Sequence, residues 1–118
     1  MKRSSTSVLF APEVVQQFLD LAEVLYDKGY LGFKEQAIDY AEKLFRSISS
    51  ELPGKIAKPA PEHFQYLGAD TLYTSFKHDR HTVWYVFFSV YNVDSKLVYY
   101  VKLLSNNHLV AQHLPIVS

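Results

Sequence analysis

The sequence predicts an α+β domain in the order strand, helix, helix, strand, strand, strand. Three observations carry that prediction. Two segments in the first half place apolar residues at helical spacing and are joined by a short connection with two glycines. Three runs in the second half are rich in Val, Tyr, Phe, Leu and Thr and are bounded by turn residues. A short apolar run, "SVLF", precedes the first helix and must join the later sheet or leave an apolar fragment stranded. Helices segregated onto one face of a mainly antiparallel sheet make an α+β domain. The chain has 118 residues and is 48% hydrophobic, which fits one domain over residues 1–118 with one core. Nine Tyr and eight Phe make that core largely aromatic.

The first strand is expected at Val8 to Phe10. Pro12 then suits the first turn of a helix, and Glu13 favours its positive end. Val14, Phe18, Leu21, Ala22 and Leu25 form its apolar stripe, which predicts a helix over residues 12–28. "GYLG" closes a tight connection. Ala37, Ala41, Leu44 and Ile48 make the inner face of a second helix, with Ile38 and Phe45 beside it. A connection this short predicts that the two helices pack as an antiparallel hairpin.

"SSELPGKIAKPAPEHF" is the one long irregular stretch. Pro53, Pro59 and Pro61 forbid continued helix and disfavour a central strand. "TLYTSFKH" then alternates loosely. "TVWYVFFSVY" is apolar on both faces, as a central strand covered on both sides would be. "NVDS" is a turn-like break before "KLVYYVKLL". Together these predict a hairpin with strands near 82–91 and 96–104. Trp84 is expected in the core.

Lys+Arg and Asp+Glu are equal at 12 each, so a globally basic nucleic-acid binder is not indicated, although a local patch remains open. The absence of Cys excludes disulfides, thiolate metal sites and Cys nucleophiles, and fits a reducing cytoplasm. The apolar run at Val8 to Ala11 is too short for a signal-peptide core, and no stretch has the ~20 apolar residues of a membrane span. These features predict a soluble cytoplasmic protein.

"FKHDRHTVWYVFF", Phe76 to Phe88, sets a charged cluster at the mouth of an apolar strand. Two readings stand. The cluster is a polar turn between strands, with Asp79 paired to Arg80 or Lys77, or it is the edge of a binding face. A His78–His81 metal site is disfavoured, because residues three apart on a flat strand point to opposite sides. No cofactor or metal is expected.

Three stretches together resemble the RelE/ParE toxin superfamily of type II toxin–antitoxin systems. They are the Pro-rich connector "ELPGKIAKPAPEHFQYL", the strands in "TLYTSFKHDRHTVWYVFF", and the closing "KLVYYVKLLSNNHLVAQHL". With the element order, the resemblance spans roughly Ser7 to His113. It implies a small curved sheet with the helical hairpin packed on one face. It implies a cognate antitoxin as partner, engaging through an amphipathic helix or an added strand. The assembly would be a homodimer or a toxin–antitoxin hetero-oligomer. RelE-like members cut mRNA on the ribosome without a metal, and ParE-like members inhibit DNA gyrase. A third form would only bind its antitoxin.

For the nuclease, the chemistry needs a base for the 2′-OH, an acid for the leaving oxygen and a cation for the phosphorane. The resemblance points to Arg80 or Lys77 on phosphate and to His81 or His108 in proton transfer. It adds Lys55, Lys58, His78, Tyr85, Asn107 and His113 as nucleic-acid-binding residues. The tyrosines would stack exposed bases, although cross-strand aromatic pairs also stabilise sheets by themselves. The chain departs from the nuclease pattern at Thr82, where such members carry Arg, and at Asn106, Asn107 and His108, where many have Arg followed by Tyr.

Overall fold

The computed structural model describes residues 5–27, 34–77 and 82–106. It shows an α+β fold with one five-stranded sheet. Strand β1 (Thr6–Phe10) leads into helices α1 (Pro12–Asp27) and α2 (Lys34–Glu51). A connector follows with the two-residue strand β2 (Lys58–Pro59) and a six-residue 3₁₀ helix, Glu62–Leu67. Strands β3 (Leu72–Lys77), β4 (Val83–Val93) and β5 (Lys96–Asn106) complete the sheet. Its order is β1-β5-β4-β3-β2. The β1–β5 pairing is parallel and the other three are antiparallel.

The expected helices and strands are present, and the connector adds a short strand and two 3₁₀ segments. Pro59 sits in β2 at the sheet edge, where a missing N–H costs no ladder bond. Helix α2 gives way to a 3₁₀ turn over Leu52–Gly54, which carries Pro53. The β4–β5 hairpin turns on Asp94 and Ser95, with φ of 52° and 65°. Two successive positive φ values belong to the two-residue turn whose twist matches a hairpin.

The α-hairpin packs on one face of the sheet. Val14 and Leu21 of α1 and Ala41, Leu44 and Ile48 of α2 meet Phe76, Trp84, Val86, Phe88, Val101 and Leu104. Trp84 is buried, as its sequence context predicts, and its Nε1 donates to the Tyr40 hydroxyl at 3.0 Å. A second, smaller cluster of Phe64, Tyr73 and Phe87 lies outside this core. Strand β4 is thus covered from both sides around Phe87 and Phe88, whereas Val90, Tyr91 and Val93 at its far end are exposed.

The ladder between β4 and β5 slips once. Phe87 is opposite Leu103 but Phe88 is opposite Val101, so Lys102 is the extra residue of a β-bulge. The bulge changes which side chains of β5 face away from the helices. Among the described residues, no helix is long and apolar enough to cross a membrane.

Candidate nucleic-acid interface

Strand alternation divides the sheet's residues between two faces. On β3, Thr74 and Phe76 turn toward the helix side, so Tyr73, Ser75 and Lys77 turn away. On β4, Trp84 and Val86 join the helix-side core, so Val83, Tyr85 and Phe87 turn away. Register brings these together. Tyr73 is opposite Phe87, Ser75 opposite Tyr85, and Lys77 opposite Val83. Ser105 and Leu103 of β5 stand opposite Tyr85 and Phe87 on the other flank.

One half of this outer face is covered. Phe64 of the 3₁₀ helix stacks on Phe87 at 4.3 Å between centroids, and Tyr73 stacks on the same ring at 5.6 Å. A polar clasp pins the cover. Lys102 Nζ donates to the Leu67 carbonyl at 2.8 Å and to Thr71 Oγ1 at 3.3 Å, and lies 3.5 Å from Asp70 Oδ1. The Ser89 hydroxyl, fully buried, donates to Asp70 Oδ1 at 3.1 Å. This hydrogen bond, with the charge of Lys102, holds the Asp70 carboxyl below its ordinary pKa. Gly68 closes the loop at φ 123°, in a conformation that L side chains rarely adopt.

The other half is open. Ser75 and Lys77 are exposed, and Tyr85 is half-buried, 6.4 Å from Tyr73 between centroids. Lys58 is exposed and pairs with Tyr73 in the ladder, which sets it at the edge of the same face. Tyr85, Lys77 and Lys58 therefore share one surface. Lys55 does not join them. Its ammonium sits 4.6 Å from the centroid of Phe76, a helix-side ring. The neighbouring Ile56 carbonyl is tied to Thr74 Oγ1 at 2.8 Å, on that same side.

His78, Arg80, His81, Asn107, His108 and His113 lie outside the described residues. Their attachment points do not. Residues 78–81 are joined to Lys77 and Thr82, and residues 107–118 follow Asn106, which pairs with Trp84. All three anchors lie at the same end of the sheet, Lys77 on the outer face and the buried Asn106 opposite Trp84 on the helix side. Ser75, Ser105 and Tyr73 share this face with no chemical signature in the sequence, although β3 alternation aligns Ser75 with Lys77. The clasp of Lys102, Asp70 and Ser89 carries no sequence signal, because a one-residue bulge brings it about.

This surface offers a half-exposed phenol ring, two ammonium groups and a hydroxyl on a rigid sheet. Such a set stacks on exposed bases and neutralises phosphates. Among the described residues, no group of three His, Asp or Glu side chains is placed to hold a metal ion.

Comparison with family models, with curated proteins and with solved structures returns no match.

Proposed function

We propose that the chain is the toxin of a type II toxin–antitoxin pair of the RelE/ParE kind, acting in the cytoplasm as a metal-independent endoribonuclease on ribosome-bound mRNA. The observation that supports this most is the open half-face. Lys77 and Ser75 are exposed there and Tyr85 is half-buried at the boundary, while the rest of the same face is closed by Phe64 and its clasp. In this reading, Tyr85 stacks on an exposed base and Lys77 with Lys58 takes the phosphates. Arg80 steadies the phosphorane, and His81 and His108 move the protons.

A second reading, a ParE-like gyrase inhibitor without nuclease chemistry, draws on Thr82 at the head of β4, where the nuclease pattern has Arg, and on the chain's zero net charge. Induced expression in a bacterium, with transcript 5′ ends mapped within minutes, separates the two. Cuts clustered in translated codons, lost in Arg80→Ala and Tyr85→Ala, support the nuclease. Arrested growth with intact transcripts and damaged DNA supports gyrase inhibition. Normal growth with intact transcripts removes both and leaves a chain that only binds an antitoxin.

A further inference from the structure

Where β1 gives way to α1, a cleft opens beside the outer side of β5. Its walls are Glu13 at the start of α1, Tyr100, Lys102 and Leu103 of β5, and Tyr66 and Leu67 of the 3₁₀ helix. Its volume is about 490 Å³, a size common among small-molecule sites. Two hydrogen bonds fix the walls to β5. The Ala11 N–H donates to the Val101 carbonyl at 2.9 Å and ties the start of α1 to the strand. Lys102 Nζ donates to the Leu67 carbonyl at 2.8 Å and ties the 3₁₀ helix to it. The cleft is therefore held in shape by the fold itself.

Two of its lining side chains are phenol rings. Tyr66 is 71% exposed and Tyr100 is half-buried. Among the described residues neither hydroxyl is hydrogen-bonded, and the exposed Glu13 carboxylate has no ion pair. Lys102 is the cation of the cleft, and its charge is already used. An ammonium has three donors. Those of Lys102 meet the Leu67 carbonyl, Thr71 Oγ1 at 3.3 Å and Asp70 Oδ1 at 3.5 Å. Asp70 offsets its charge, so the charge left over in the cleft is the carboxylate of Glu13.

That combination selects a ligand. A phosphate or carboxylate would be repelled by Glu13 and would find Lys102 already bonded. A neutral apolar molecule would desolvate the Glu13 carboxylate and give nothing in return. A cation is attracted both by the carboxylate and by the negative faces of the rings. We infer that this cleft binds a small organic cation, an alkylammonium or guanidinium group, on the Tyr66 and Tyr100 rings and against the Glu13 carboxylate. None of the residues that line it belongs to the open half-face of Tyr85, Lys77, Lys58 and Ser75, so the inference holds or fails separately from the nuclease reading.

The test titrates the full chain with choline and with its neutral isostere, in which carbon replaces the quaternary nitrogen. The ring-proton resonances of Tyr66 and Tyr100 are followed by NMR. Choline should shift both rings in a saturable way, and the isostere should not. Glu13→Gln should weaken choline binding about tenfold and Tyr66→Ala about fivefold, as loss of one charge and of one cation–π contact do. Glu42→Gln removes the same charge from α2, outside the cleft, and should leave binding unchanged. Tyr66 is mostly exposed, so its variant keeps the fold, which a thermal melt checks. A Gly-Arg-Gly tripeptide separates the two sources of such a cation. Tighter binding of the tripeptide than of choline supports a basic side chain of a peptide, and the reverse supports a free small amine. Failure of both cations to shift the rings overturns the inference. So does equal binding of the neutral isostere, indifference to Glu13→Gln, or an equal loss in Glu42→Gln.

Discussion

Gln17 grips Leu104 at both ends of its carboxamide. Its Nε2 donates to the Leu104 carbonyl at 3.0 Å, and its Oε1 accepts the Leu104 N–H at 3.1 Å. Strand β1 stops pairing at Phe10–Val101, yet β5 runs on to Asn106. Beyond Val101 the outer edge of β5 has lost its neighbour. Helix α1 supplies a substitute, one side-chain amide that bonds the strand as a peptide unit would. The same contact fixes α1 against the sheet and so sets the hairpin's position.

Replacing Gln17 with Ala removes both bonds and leaves a part-buried N–H and C=O without their partner. Each such bond is worth about 0.5–1.5 kcal/mol net. The loss should be about 1–3 kcal/mol, read from the midpoint of urea denaturation at an unchanged slope. A midpoint equal to wild type would mean that water serves Leu104 equally well.

Asp70 predicts a pH dependence. Its folded pKa lies below its ordinary value, chiefly through the Ser89 hydrogen bond, with Lys102 adding to it. A carboxylate depressed by folding stabilises the protein above its unfolded pKa. That contribution disappears as pH falls through the folded value, below about 4. Wild type should exceed Asp70→Asn in melting temperature at neutral pH, with the gap narrowing toward pH 3. A gap independent of pH would assign the effect to shape rather than charge.

Gly68→Ala should be harmful for two reasons. The backbone there has φ 123°, and an added Cβ would lie 3.0 Å from Lys102 Nζ and 3.1 Å from Asp70 Oδ1. Backbone strain of this kind costs about 1–3 kcal/mol, before any displacement of the clasp. Chemical denaturation measures it. A neutral substitution would show that the loop relaxes freely.

Tyr85 and Phe87 are two residues apart on one face and should behave differently. Phe87→Ala opens a cavity under Phe64 and should cost about 3–5 kcal/mol of stability. Tyr85→Ala should cost far less in stability but weaken binding of a single-stranded RNA probe by about 1–3 kcal/mol, as loss of one stacking platform does. Lys77→Ala should weaken binding uniformly across RNA sequences and lower the salt slope by about one. Filter binding at several salt concentrations reads both. RNA binding unaffected by either change would remove the open face as the interface.

Local pattern alone determined the two helices and the strands outside the connector. Period 3.6 marks α1 and α2, period 2 and β-branched runs mark β3 to β5, and Pro53, Pro59 and Pro61 mark where the connector is irregular. These signals depend on residues close in the chain. Tertiary structure decided what local pattern cannot express. It laid the connector's 3₁₀ helix over Phe87 and left Tyr85 half-buried at the edge of that cover, and it sent Lys55 and Lys58 to different sides although they are three residues apart. It also re-phased β5 at Lys102, joining that residue to Asp70 and Ser89. Each of these depends on register between strands, where a shift of one residue moves a side chain to the other face of the sheet.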